Sequence, residues 1–173
     1  MQRTGLSIAG GVLLLLASVG TGIGGVVWSV MGNAEALMAM SRKQFEAAEK
    51  SGKLTPEQKQ QIEAARAKID ETEADLTANP EKRAKLAKLR SYGYFEAFAA
   101  LVGVIAAIGV LVASGFGKAA GAVAAVLGAA TGIWGCTVGT PVPPPALQIA
   151  FVVAYGVAFA GAVSLKRELP TAV

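Results

Sequence analysis

The sequence predicts an all-α integral membrane protein: four transmembrane helices with a helical, coiled-coil-like extramembrane insert between the first and second. Three observations predict it. Four apolar runs each approach the ~20 residues that cross a bilayer as a helix. Charge is confined almost wholly to Glu35–Arg90, and that stretch has helical periodicity. Of 28 charged residues (16 basic and 12 acidic), only Arg3, Glu96, Lys118, Lys166, Arg167 and Glu168 lie elsewhere, which leaves 22 inside it. An ionised side chain at the centre of a membrane helix costs about 3 kcal/mol, so this partition separates membrane from water. With 53% apolar residues and a mean hydropathy of +0.50, the 173-residue chain is too apolar for a small soluble domain.

Residues 1–33 form the first span, its apolar run reaching from Thr4 to Gly32. Arg3 beside such a run also fits a signal peptide, but the run is long for one and reads as retained. Its second half is dense in small residues. Ser18 and Gly22, and Gly20 and Gly24, are spaced i, i+4, which lets another helix backbone approach closely. Gly128 and Gly132 repeat that spacing in the third span. Trp28 falls where indole favours the membrane interface.

Residues 34–91 are the charged insert. Ala34, Leu37, Met38, Phe45 and Ala48 recur at helical spacing, so a helix over 34–50 continues out of the membrane. Ser51-Gly52-Lys53 breaks it. Thr55-Pro56-Glu57-Gln58 then combines a capping hydroxyl, a proline at the first helical position and a glutamine three after the cap. Ile62, Ala65, Ile69, Thr72 and Leu76 follow at steps of 3, 4, 3 and 4, a narrow coiled-coil-like seam. Asn79-Pro80 ends that helix and caps the next, Glu81 to about Ser91. A fold-back there sets acidic Asp70, Glu71, Glu73 and Asp75 beside basic Lys82, Arg83, Lys85, Lys88 and Arg90. The same basic residues are placed to meet lipid phosphates or a partner.

Residues 92–165 hold the remaining spans. Tyr92 and Tyr94 mark re-entry as interface aromatics. The second span covers about 95–114, a turn at Gly115–Lys118 leads to the third at about 119–138, and the proline-rich stretch Pro141–Pro145 precedes the fourth at about 146–165. Residues 166–173 are a short polar tail. A weak repeat underlies the order. Thr21-Gly22-Ile23 and Gly25 match Thr131-Gly132-Ile133 and Gly135, while Ala97, Phe98, Gly103 and Val104 match Ala150, Phe151, Gly156 and Val157. Arg3, Lys118, Lys166 and Arg167 favour the termini in the cytoplasm, against the contrary weight of the insert's basic residues. The lack of His and the abundance of Ala and Gly point to a bacterial inner membrane.

Chemistry is scarce. Histidine is absent, which excludes imidazole-held haem, most zinc and copper sites and His-based acid–base catalysis. Neither a cofactor nor a metal is expected. A single cysteine, Cys136, forms no intramolecular disulfide. Glu96 is the only carboxylate within an apolar run. It is assigned to the interface, within reach of headgroups or Arg90, with an ion or proton site as the alternative. Thr21, Thr131, Cys136 and Thr137 read as local hydrogen-bonders rather than nucleophiles, since no base lies near them in sequence. Gly20-x-Gly22-x-x-Gly25 matches a dinucleotide fingerprint in form only, because no strand precedes it.

The expected function is therefore non-catalytic: a structural or accessory subunit of a membrane complex, packing through Gly/Ala helix faces and contacting partners by its insert. A homo-oligomeric channel or pore is the first alternative, and anionic-lipid binding or membrane remodelling the second. Expected partners are membrane lipids and other membrane subunits or copies of the chain. A net charge of +4 gathered at a predicted membrane boundary gives no reason to expect nucleic acid, and no small-molecule substrate is inferred.

Overall fold

The computed structural model describes residues 4–138 and 145–165. The expectations for Arg3, for the proline stretch up to Pro144 and for the tail from Lys166 lie outside these residues. Six helices follow in order: α1 (Gly5–Met31), α2 (Ala34–Lys50), α3 (Pro56–Ala78), α4 (Pro80–Leu111), α5 (Gly115–Val138) and α6 (Pro145–Val163). Among the described residues there is no strand. Four helices, α1, α4, α5 and α6, are long and apolar enough to cross a membrane, and this composition points to a membrane protein.

The helix ends follow from local chemistry. Thr4 caps α1: its hydroxyl accepts from Ser7 N (3.0 Å), and the Ser7 hydroxyl accepts from Thr4 N (2.8 Å). Thr55 and Gln58 form the corresponding reciprocal pair on α3, behind Pro56, as their spacing predicts. Gly52, with φ +68, supplies the left-handed turn between α2 and α3. Asn79 joins α3 to α4 but does not cap α4 with its side chain. Its amide instead donates to Asp75 Oδ1 (2.6 Å).

α2 covers the expected 34–50, with the chain turning at Gly32-Asn33 before it. Two other boundaries differ from expectation. α4 is uninterrupted through Ser91–Phe95, because Gly93 alone is too weak a breaker to stop a packed helix. The turn before α5 lies at Val112–Ser114, where Ala113 takes φ 53, and α5 begins at Gly115.

The four long helices close into a ring. α1 packs on α4 and α6, α5 packs on α4 and α6, and α1 scarcely meets α5 across the diagonal. α1 and α4 run antiparallel and very close. A Cβ on Gly25 would lie 2.5 Å from Ala97 N and 2.8 Å from Gly93 O, and one on Gly11 2.8 Å from the Leu111 side chain. Gly10 meets Gly161 of α6 in the same way, with only 2.6 Å to its Cα. Small residues at these crossings let the backbones approach closely enough for dispersion to act between them. Leu6, Ile8, Leu16, Ile23, Phe98 and Leu101 project outward instead.

The weak repeat coincides with burial in one half only. Ser7, Gly11, Leu14, Ser18, Thr21 and Gly25 are buried in α1, and so are Gly117, Gly121, Ala124, Gly128, Thr131 and Gly135 at the matching positions of α5. In the other pair Gly103 is buried whereas Gly156 is exposed.

The charged helices are lightly attached. Nothing in α2 is buried, and in α3 only Leu76 is. Arg42 of α2 bonds to Asp70 (2.6 Å) and Glu73 (2.5 Å) of α3, and Arg66 to Glu49 (2.7 Å). The acidic patch of α3 thus pairs mainly with α2 rather than with the basic residues of α4. Lys82–Asp75 (2.5 Å) is the one pair across the Asn79-Pro80 turn among the described residues. Lys82, then Asn79, holds the Asp75 carboxyl below its ordinary range.

Candidate functional site

The half of the four-helix bundle nearest the charged insert has a polar interior. α4 contributes Tyr92 and Glu96, one turn apart on the stripe that also carries Leu89, Gly93, Ala99, Ala100 and Gly103. That stripe faces α1 and carries both polar residues inward with it. Glu96 is 6% exposed and Tyr92 fully buried. The Tyr92 hydroxyl donates to Glu96 Oε1 (2.7 Å) and accepts from Gln148 Nε2 of α6 (3.4 Å). Trp134 of α5 sets its ring edge-on to Tyr92, with centroids 5.8 Å apart.

A second group lies one to two turns deeper. Thr21 and Tyr155 share a hydrogen bond of 2.9 Å between α1 and α6. The Tyr155 ring fits against Gly128, where a Cβ would overlap it. The hydroxyl of Ser18 fills the space over Gly103. Ser18 Oγ, Trp28 Nε1 and Glu96 Oε2 are buried without a hydrogen-bond partner.

The residues singled out in the sequence separate as follows. Ser18, Gly20, Gly22, Gly24, Gly128 and Gly132 all lie against another helix of the same chain: Gly20 meets Phe151, Gly22 meets Ala100, Gly24 meets Glu96 and Gly132 meets Val152. Tyr94 faces outward, 57% exposed, while Tyr92 and Glu96 on the opposite side of α4 turn into the bundle. The expected Glu96–Arg90 pair does not form, because the two lie on different faces of α4. Trp28 is half-buried, with its indole nitrogen inside. Arg83 pairs with Glu35 of α2 (2.9 Å). Lys85, Lys88 and Arg90 are exposed, and among the described residues no carboxylate lies within ion-pair distance of them.

Gln148 and Tyr155 drew no notice in the sequence, although buried amides and phenols need partners. Their signal was available: both sit on the α6 stripe that includes Ala158, Ala162 and Leu165, at steps of 7, 3, 4 and 3. The hydroxyl and thiol groups of α5 are tied to their own helix, Thr131 to Gly128 O (2.6 Å), Cys136 to Gly132 O (3.4 Å) and Thr137 to Trp134 O (2.8 Å). No three of His, Cys, Asp or Glu gather at one point among the described residues.

The fold defines an all-helical chain with four helices of membrane-crossing length around a partly polar interior. Comparison with protein-family models, with curated proteins and with solved structures gives no match.

Proposed function

We propose that the protein is a non-catalytic integral membrane subunit. In this reading α1, α4, α5 and α6 span the bilayer, and α2–α3 stands outside it as the arm that meets another subunit or a second copy. One observation carries the reading: small residues of the long helices are spent on each other, while the arm leaves two large apolar side chains uncovered. Leu37 and Met40 of α2 are 42% and 59% exposed. A helix pair with so little buried surface gains stability from a partner that covers it.

Chemical cross-linking followed by copurification from native membrane tests this. A defined set of subunits is expected with the wild-type chain and is lost with Leu37→Glu and Met40→Glu together. A chain that extracts alone, with the same profile in the double variant, overturns it. Conductance from a ring of copies in liposomes would replace it with the pore reading. The orientation, with termini in the cytoplasm, is tested by Ser51→Cys in a Cys136→Ser background: an impermeant thiol reagent labels it from outside.

A second reading has its own support. Lys85, Lys88 and Arg90 are exposed and unpaired among the described residues, where α4 changes from charged to apolar. Such residues attract anionic headgroups at about 1 kcal/mol each. Replacing the three by Gln should weaken binding to anionic vesicles and leave neutral vesicles unaffected.

A further inference from the structure

Glu96 has surroundings that an interface residue would not need. It is 6% exposed, accepts one hydrogen bond, from Tyr92, and leaves Oε2 buried without a donor. Among the described residues no cation is within ion-pair distance of it. α1 offers no ionisable side chain at all between Thr4 and Met31. α5 offers Cys136 and, at the far end, Lys118, whose Nζ donates to Leu165 O (3.3 Å). α6 offers Tyr155, already bonded to Thr21. On α4 itself Arg90 points away, and at its start Lys82 and Arg83 are engaged by Asp75 and Glu35 of the insert. A carboxylate so enclosed lacks a compensating charge. A carboxylic acid in the same place needs none.

We propose that Glu96 is a proton-binding site, reached from the insert end of the bundle, and that the Trp28 indole N–H becomes its second donor when the proton leaves. The position argues for one-sided access. Glu96 lies 6 residues beyond Arg90, or about 9 Å along the helix, but 15 residues from Leu111, or about 22 Å. The donor is poised: Trp28 Nε1 and Glu96 Oε2 both flank Gly24, 3.5 and 3.3 Å from where its Cβ would stand. Both are unsatisfied in this arrangement, and an unpartnered buried oxygen costs less on a neutral acid than on a carboxylate. On ionisation a small rotation of the indole over the bare Gly24 backbone brings N–H to Oε2. The proton is the only species gained or lost. This inference does not depend on what the arm docks.

The test uses the full chain in neutral-lipid nanodiscs. Infrared difference spectra between acidic and alkaline buffer should show one buried carboxylic C=O band disappearing at high pH, absent from Glu96→Gln. The fluorescence of Trp28, isolated by Trp134→Phe (the chain has 2 Trp), should change over the same titration. Gly24→Ala places a methyl between the two groups and should remove most of that change while the infrared band stays. Tyr92→Phe, which keeps the ring, should displace the midpoint. Circular dichroism establishes that each variant retains its helices. The proposal is overturned if the band persists in Glu96→Gln or is missing from wild type. It is also overturned if replacing choline by sodium at constant ionic strength moves the midpoint, because a metal ion then shares the site.

Discussion

The two halves of the bundle are held together by different means. Toward the chain termini the interior is Leu14, Ala106, Ala107, Val110, Ala124, Ala125, Ala158, Ala162 and Leu165, and its one buried polar side chain among the described residues, Ser7, is spent on the cap of α1. Toward the insert it is Ser18, Thr21, Tyr155, Thr131, Glu96, Tyr92 and Gln148. The first half gains mainly from contact, with hydrogen bonds between elements, among the described residues, confined to its rim at Thr4–Ser164 and Lys118–Leu165, so fit decides its stability. The second gains little net energy per bond, since interhelical hydrogen bonds in membranes average about 0.6 kcal/mol. What it gains is direction, because Thr21 and Tyr155, or Tyr92 and Gln148, meet in only one register. Close packing gives tightness, and the polar half fixes which helix faces which.

This contrast can be broken at several strengths. The largest effect is expected where both halves share the α1–α4 contact. Gly25→Val has no room beside Ala97 N and Gly93 O, and should cost about 3 kcal/mol as overpacking forces the helices apart. Reversible unfolding in detergent would show it. Next, Leu14→Ala empties a fully buried position in the apolar half. It should cost about 2 kcal/mol, the low end for such cavities. In the polar half Thr21→Val keeps the shape and removes the bond to Tyr155, for about 0.6 kcal/mol. If Thr21→Val proved costlier than Leu14→Ala, the division of roles would be reversed.

The smallest effect lies outside the bundle. The Asp75 carboxyl titrates below its ordinary value because Lys82 and Asn79 bond to its charged form. A depressed folded value means the contribution is fully present above the unfolded value. It is lost as pH falls through the folded one, below about pH 4. The protection factor of amides at the α3–α4 turn, exchange measured against the intrinsic rate at each pH, should therefore fall there, and high salt should mimic the effect. Asp75→Asn should make that protection factor insensitive to pH over this range.

The apolar runs and the charge boundary made four long helices legible, and the Thr55-Pro56-Gln58 pattern located the start of α3 to the residue. Composition misled where it changes inside one element. The charged turns from Pro80 and the apolar turns after Tyr92 look like two segments, yet nothing between them interrupts backbone hydrogen bonding, and α4 runs through. The inward direction of Glu96 was missed for a related reason. Its nearness to Tyr94 and Arg90 in sequence suggested the surface, while its spacing from Leu89, Tyr92, Ala99 and Gly103 already placed it on the buried stripe. Periodicity outweighs proximity in a helix. The partners of Arg42 were not legible, since which of two adjacent helices takes an acidic patch depends on their packing.

The unbroken course of α4 has a mechanical consequence. Its 32 residues make a shaft of about 48 Å, anchored at one end by the insert turn and gripped along the other by α1. A hinge between the two would have insulated them. A rigid shaft instead carries a displacement at Gly93, packed against the Ser29 backbone of α1, outward to the charged helices.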